Sequence, residues 1–114
     1  MILDQSGIEG IQKNFSDMEQ ILTEAGFIRW AWDYHKAIYD MKFVDEENGI
    51  DYYLRIRANT VKGTLESPNA VVKLEHPVFA RHFFPHGLDY DAKIPEKLQS
   101  AVNQKIEEVK KKLD

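Results

Sequence analysis

The chain has 114 residues, of which 43% are hydrophobic and 30% charged, and its formal net charge is −4. This balance is typical of a globular chain rather than a disordered one, and the length predicts a single domain spanning residues 1–114. The negative net charge argues against nucleic-acid binding, because phosphate contacts need a concentrated basic surface. The absence of cysteine excludes disulfides, thiolate nucleophiles and cysteine-based metal sites.

The sequence shows no sign of export or membrane insertion. Residues 1–7 lack a basic region followed by an apolar run, so no signal peptide is predicted. No apolar run approaches the roughly 20 residues that a membrane-spanning helix needs. We therefore expect a cytoplasmic protein with no membrane partner.

A first helix is predicted at about residues 16–25. The sequence 16–19, Ser-Asp-Met-Glu, matches a capping box, in which Ser16 and Glu19 satisfy free backbone donors. Apolar residues then recur at helical spacing up to Ala25, and Gly26 supplies the C-terminal stop. A short strand is expected somewhere in residues 1–13.

From Phe27 onward the apolar residues recur with a period of two, which indicates strands. Asp45 to Gly49 is predicted to form a hairpin turn, since Asn-Gly favours the positive φ angles of such turns. Short connections between successive strands predict antiparallel pairing. The expected strands cover residues 27–34, 37–43, 50–59, 61–66 and 70–75.

The last third of the chain is expected to be irregular and then helical. Residues 76–93 are rich in turn formers, and Pro95 is favoured at the first position of a final helix. The apolar stripe of that helix contains Leu98, Ala101, Val102, Ile106, Val109 and Leu113. The sequence therefore predicts an α+β fold, in which an antiparallel sheet of four to five strands carries both helices on one face.

The most unusual feature of the sequence is an aromatic segment, residues 30–40, which holds both tryptophans. Trp30, Trp32 and Tyr34 are predicted to share one side of a strand. Aromatic residues dominate small cores, so a sealed core beneath the helices is the simplest interpretation. A ligand cleft and a homodimer interface are the alternatives. The candidate ligand-binding residues are Trp30, Trp32, Tyr34, His35, Tyr39, His82, Phe84 and His86.

The other face of the predicted sheet carries charges of both signs. Their mixture on adjacent strands favours cross-strand ion pairs on a solvated surface. A functional alternative is that Tyr53, Arg55 and Arg57 belong to a surface that binds an anion or a partner.

A histidine-aspartate cluster is a candidate for metal binding or catalysis. His82 and His86 are four residues apart, but Pro85 would break a helix between them, so this spacing matches no metal motif. A site built from His35, His82 or His86 with Asp33 or Asp89 could form only in three dimensions. No cofactor motif or activated nucleophile is present, so we predict no cofactor, no catalytic residue and no metal ligand.

Several motifs in order along the chain resemble the YugN-like family of small proteins from Bacillus-type bacteria. These motifs are residues 29–40, residues 52–55 and the Phe-Pro-His-Gly sequence at 84–87. The resemblance implies a TBP-like α+β fold, with the order strand, helix, four strands, helix, in a cytoplasmic protein. It supplies no established activity or functional residue. We expect a non-enzymatic module that binds a small ligand or a protein and that self-associates; an enzyme or metal-dependent protein is the alternative.

Overall fold

The computed structural model describes residues 1–83 and 87–114, and within them it contains seven strands and two helices. The order is strand, helix, six strands, helix. The elements are β1 (Gln12–Asn14), α1 (Phe15–Glu24), β2 (Ile28–Trp32), β3 (Lys36–Asp45), β4 (Ile50–Lys62), β5 (Val71–Leu74), β6 (Val78–His82), β7 (Leu88–Asp89) and α2 (Glu96–Leu113).

The strands form one antiparallel sheet around the long strand β4. The main order is β1-β5-β4-β3-β2, with β6 beside β4 and β7 beside β6. One edge of β4 pairs with β3, while its other edge pairs first with β6, at residues 52–55, and then with β5. The predicted hairpin turn is confirmed, since Asp45 pairs with Ile50 across it.

Both helices pack on one face of this sheet and form its hydrophobic core. Apolar residues of α1 and α2 join the inward-facing residues of β3 and β4 in a single cluster. The predicted alternation along β3 and β4 is confirmed, because Tyr39, Leu54 and Ile56 are fully buried whereas their neighbours face away from the helices. The opposite face, which carries Asp40, Arg55 and other polar residues, is called the open face below.

The start of α1 differs from the prediction. Its N-cap is Asn14, whose Oδ1 accepts a hydrogen bond from the backbone N–H of Asp17 at 3.0 Å. The predicted capping box is therefore wrong: Ser16 lies in the first turn and donates to Asn14, and the Glu19 carboxylate pairs with Arg29. An asparagine oxygen two residues before the serine satisfies the free donor equally well.

We expect Asn14→Ala to lower the free energy of unfolding by about 1 kcal/mol, because it removes the oxygen that caps α1. Ser16→Ala is the matched control and should cost much less, since Ser16 accepts no capping hydrogen bond. Urea denaturation of the two variants checks this prediction. An equal loss from Ser16→Ala would contradict the assignment of Asn14 as the cap.

The end of α1 agrees with the predicted stop. Gly26 has a φ of +101°, and its N–H donates to the carbonyl oxygen of Thr23 at 3.0 Å. Lys105 of α2 donates from Nζ to the carbonyl oxygen of Ala25 at 2.8 Å. This hydrogen bond satisfies a terminal carbonyl of α1 and ties the two helices together.

Three predictions about the strands are corrected by the structure. Residues 61–66 do not form a separate strand, because β4 continues to Lys62 and a turn follows at Gly63. Residues 76–93, expected to be irregular, contain β6 and β7. Pro77 lies just before the first residue of β6, so its missing N–H removes no hydrogen bond from the sheet. The described sheet consequently has seven strands rather than four to five.

The final helix is confirmed with two adjustments. Pro95 is the N-cap rather than the first helical residue, and Ala101 is exposed instead of belonging to the buried stripe. Val102, Ile106, Val109 and Leu113 are buried as predicted. Neither helix in the described part of the chain combines the length and the apolar character required to span a bilayer.

Candidate ligand-binding groove

A β-bulge in β2 places the two tryptophans on different faces of the sheet. Arg29 and Trp32 lie opposite the buried residues Tyr39 and Ala37, so they belong to the helix-covered face. The register shifts after Arg29, and the side chain of Trp30 lies on the open face. The prediction that Trp30 and Trp32 share one side is therefore wrong, because it assumed a regular alternation that the bulge interrupts.

Neither tryptophan is part of a sealed core. The exposed fraction is 71% for Trp30 and 48% for Trp32. Both belong to β2, an outer strand of the sheet, where the helices do not enclose them. The core interpretation of the aromatic segment is wrong for these two residues and correct for Tyr39, which is fully buried.

Trp30 borders a groove on the open face with a volume of about 410 Å³. This volume lies within the usual range of small-molecule sites, roughly 300–1,000 Å³. A larger depression of about 760 Å³ runs along the outside of α2, but polar residues of that single helix line it, so we regard it as a helix surface. The groove is lined by Trp30, Asp40, Tyr53, Arg55, His82, Gly87, Leu88 and Tyr90.

The floor of the groove is an ion pair between adjacent strands. Asp40 of β3 lies directly opposite Arg55 of β4. Arg55 donates from Nε and Nη2 to the two carboxylate oxygens of Asp40, both at 2.8 Å, and the side chains are only 10% and 11% exposed. The hydrogen bonds to Asp40 raise the pKa of Arg55, although burial opposes this. The paired charges cancel, so the floor is close to neutral.

Tyr90 closes one end of the groove. Its hydroxyl accepts a hydrogen bond from Arg55 Nη1 at 2.7 Å, and the guanidinium of Arg57 lies 5.6 Å from the centre of its ring. Both contacts are made from the open face, where Arg55 and Arg57 were predicted to lie. The expected cross-strand ion pairs on this face are confirmed by Asp40–Arg55.

The histidine side of the groove is formed by β6 and β7. The ring of His82 meets that of Tyr53 edge-on, with 6.5 Å between their centres. Arg81 Nη2 lies 3.1 Å from a carboxylate oxygen of Asp89, which links β6 to β7 on the opposite face of the sheet. The wall formed by β4, β6 and β7 is mostly aromatic.

Tyr34 and His35, two predicted ligand residues, lie outside the groove in the turn between β2 and β3. Asp33 shapes this turn, because its Oδ1 accepts hydrogen bonds from the backbone N–H groups of His35 and Lys36 at 2.7 and 2.9 Å. These hydrogen bonds lower the pKa of Asp33. Asp33 thus serves the turn rather than a histidine cluster.

Tyr39 also lies away from the groove, beneath the helix-covered face. Its hydroxyl finds no hydrogen-bond partner of normal geometry within the described residues, although charged groups surround it. Arg29 forms ion pairs with Glu19 at 3.0 Å and Glu66 at 2.6 Å. Burial raises the pKa of Tyr39, the Glu19 and Glu66 carboxylates raise it further, and Arg29 opposes them.

The proposed histidine-aspartate metal site does not assemble among the residues that the structure describes. Residues 1–83 and 87–114 contain no group of three His, Asp or Glu side chains that could hold a metal ion. Asp33 and His35 share the β2–β3 turn, whereas His82 lines the groove. The predicted ligand residues Phe84 and His86 lie outside the described residues.

The sequence interpretation missed four groove residues: Asp40 as the partner of Arg55, Gly87, Leu88 and Tyr90. The alternation of β3 and β4 places Asp40 and Arg55 on one face, but a two-residue Asn48-Gly49 turn would set Asp40 opposite Arg57, whereas the observed loop sets it opposite Arg55. The other three follow β6, a strand that the sequence did not reveal. No local pattern places them beside Trp30.

A family model described as the YugN-like family matches residues 4–113 of this chain. The chain belongs to the YugN-like family. The resemblance seen in the motifs is thereby confirmed over nearly the whole sequence.

Two YugN-like relatives from Bacillus subtilis (strain 168) carry names that describe them as uncharacterised. YlbA is 36% identical over 87 residues, which cover 75% of this chain and 71% of YlbA. YugN is 31% identical over 90 residues, which cover 78% of this chain and 66% of YugN. These names assign no activity.

The YugN-like fold is also seen in a crystal structure, that of the uncharacterised conserved protein YugN from Geobacillus kaustophilus HTA426. This chain is similar to it with a TM-score of 0.83 and 32% sequence identity. The match covers 99% of this chain and 94% of the other. The α+β architecture, with its largely antiparallel sheet and two helices, is thus common to both proteins.

Proposed function

We propose that the protein is a non-enzymatic binding module whose groove on the open face takes a small molecule with a planar aromatic ring. The observation that carries this proposal is the position of Trp30. The bulge in β2 turns a large indole, 71% exposed, towards a groove of about 410 Å³ whose other walls are largely aromatic. Exposed aromatic surface beside a concave site favours stacking with a planar ligand.

The charges of the groove favour a neutral ring over a strongly charged one. Arg55 directs three of its nitrogens to Asp40 and Tyr90, so it offers little capacity to an incoming anion. An incoming cation would meet a carboxylate that Arg55 already neutralises. A ligand therefore gains mostly from stacking and apolar contact, with Leu88 and the aromatic walls.

The same pairing supports binding rather than catalysis. A general base has to accept a proton from the reacting group, and both oxygens of Asp40 already accept hydrogen bonds from Arg55. No activated nucleophile accompanies them in the described lining of the groove.

The test is a binding titration with indole and adenine as neutral planar probes and 4-hydroxybenzoate as an anionic one. We expect the neutral probes to raise the melting temperature and quench tryptophan fluorescence. Trp30→Ala should weaken their binding at least tenfold, because it removes an aromatic stacking contact that also buries apolar area. Equilibrium dialysis provides the dissociation constants.

Trp32→Ala is the matched control, because it removes an exposed indole from the same strand but from the other face of the sheet. It should leave the dissociation constants unchanged. Equal losses from both variants, or no binding of either neutral probe at millimolar concentration, would contradict the proposal. Binding of 4-hydroxybenzoate alone, abolished by Arg57→Met, would replace it with an anion site.

A further inference from the structure

The two outer strands of the main sheet are protected very unequally. β1 has only three residues and contains Lys13, both of which discourage pairing with another molecule. β2, at the other end, has five residues and includes neither lysine nor proline, so the bulge after Arg29 is its main feature that discourages pairing. Its outer backbone N–H and C=O groups face no strand of this chain among the described residues.

The bulge also gives β2 an exposed apolar side chain on each face. Ile28 projects from the open face and is 70% exposed, and Trp30 lies beside it. Trp32 projects from the helix-covered face, beyond the reach of the helices. A solvated face of an antiparallel sheet is normally polar, so exposed apolar residues on both faces of an outer strand are typical of a surface that another molecule covers.

Charge does not prevent two copies of β2 from approaching each other. Arg29 is the only charged residue of the strand. Its guanidinium pairs with Glu19 and Glu66 of the same chain and lies 5.5 Å from the centre of the Trp32 ring. An interface with two-fold symmetry uses the same surface on both partners, and this internal compensation limits the repulsion between the two arginines.

We propose that a second copy of the chain pairs antiparallel with β2, so that one sheet continues through both molecules. A two-fold axis perpendicular to the sheet achieves this with the same surface on each partner. Open face then continues into open face. In an antiparallel pair only the residue at the axis lies beside its own copy, so an axis near Trp30 brings the two Trp30 side chains together and places Ile28 of each strand near the Trp32 end of the other. This inference does not depend on the groove having a ligand.

The oligomeric state of the full chain tests the proposal. Sedimentation velocity over a concentration series should show a species of twice 13.3 kDa at tens of micromolar. Hydrogen exchange should show protection of the β2 amides that increases with concentration. Ile28→Lys and Trp32→Lys should each raise the dissociation constant of the dimer at least tenfold.

Val61→Lys is the matched control, since Val61 is an aliphatic residue that is 51% exposed on β4, two strands from β2. It should leave the dimer intact. A monomer at every concentration would overturn the proposal, and so would a dimer that resists both β2 variants. Failure of probe binding in the groove, with the dimer retained, would overturn only the proposed function.

Discussion

Arg55→Met should lower the free energy of unfolding by about 3 kcal/mol, which is the usual cost of removing one partner from a buried ion pair. The Asp40 carboxylate is only 10% exposed and takes both of its hydrogen bonds from Arg55. Without the guanidinium, the negative charge of Asp40 stays buried next to the groove with no positive partner. Tyr90 also loses the donor to its hydroxyl. Urea denaturation at neutral pH measures the loss.

The double variant Asp40→Leu/Arg55→Met should recover most of that stability, because no unpaired charge remains in the sheet. Arg57→Met is the control for loss of a guanidinium from the same face. Its contact with Tyr90 is a cation–π contact, which contributes about 0.5–1 kcal/mol at an exposed site. A double variant as unstable as Arg55→Met would show that the packing of these side chains, rather than the buried charge, determines the loss.

The floor of the groove illustrates what the sequence could predict. The alternation of β3 and β4 and a turn that contains Asn48-Gly49 follow from local rules, and they place Asp40 and Arg55 on the same face of the sheet. The register does not follow from them, because a two-residue Asn-Gly turn would set Asp40 opposite Arg57, whereas the observed four-residue loop sets it opposite Arg55. The polar character of the floor is thus readable from residues 37–59, but the ion pair itself is not.

The walls of the groove were not predictable in the same way. The bulge after Arg29 shifts β2 by one position, and a shift of one residue exchanges the faces of every following side chain. Nothing in the aromatic segment distinguishes a bulged strand from a regular one. Consequently Trp30 and Trp32 were assigned to one side, although the structure separates them.

The strand β6 was missed for a different reason. Pro77 and the turn-forming residues after His82 suggested an irregular segment, yet Val78, Phe79 and Ala80 are buried in the sheet. Their burial comes from pairing with the first half of β4, a contact across about 25 residues of sequence. Such pairing depends on tertiary structure, and a short apolar run does not reveal it.

The aromatic segment therefore divides into parts with different roles. Trp30 borders the groove, Trp32 flanks Arg29, and Tyr39 fills the core. The density of aromatic residues predicted that the segment forms a core, a cleft or an interface. Which of these roles each residue has depends on the bulge and on which face the helices cover. For Tyr39, burial in the core should have a measurable effect on how the stability of the protein depends on pH.

The stability of the protein should decrease with alkaline pH through Tyr39. Burial and the nearby Glu19 carboxylate raise the pKa of its hydroxyl above the ordinary value of a tyrosine, about 10. The folded state therefore keeps the proton over a range of pH in which the unfolded chain has lost it. The stabilisation is complete below pH 10 and is lost above it, at about 1.4 kcal/mol per pH unit, as pH rises towards the folded pKa.

Tyr39→Phe should remove this dependence, and at neutral pH it should cost little, because the hydroxyl has no hydrogen bond of normal geometry among the described residues. Urea denaturation between pH 8 and 11.5 is the measurement. Tyr34→Phe serves as the control, since it removes an exposed hydroxyl from the same segment. The wild-type protein and Tyr34→Phe should lose stability together above pH 10 while Tyr39→Phe loses less. Parallel curves for all three proteins would contradict this prediction. They would show that the Tyr39 hydroxyl ionises in the folded state as readily as in the unfolded chain, so that burial next to Glu19 and Glu66 does not raise its pKa.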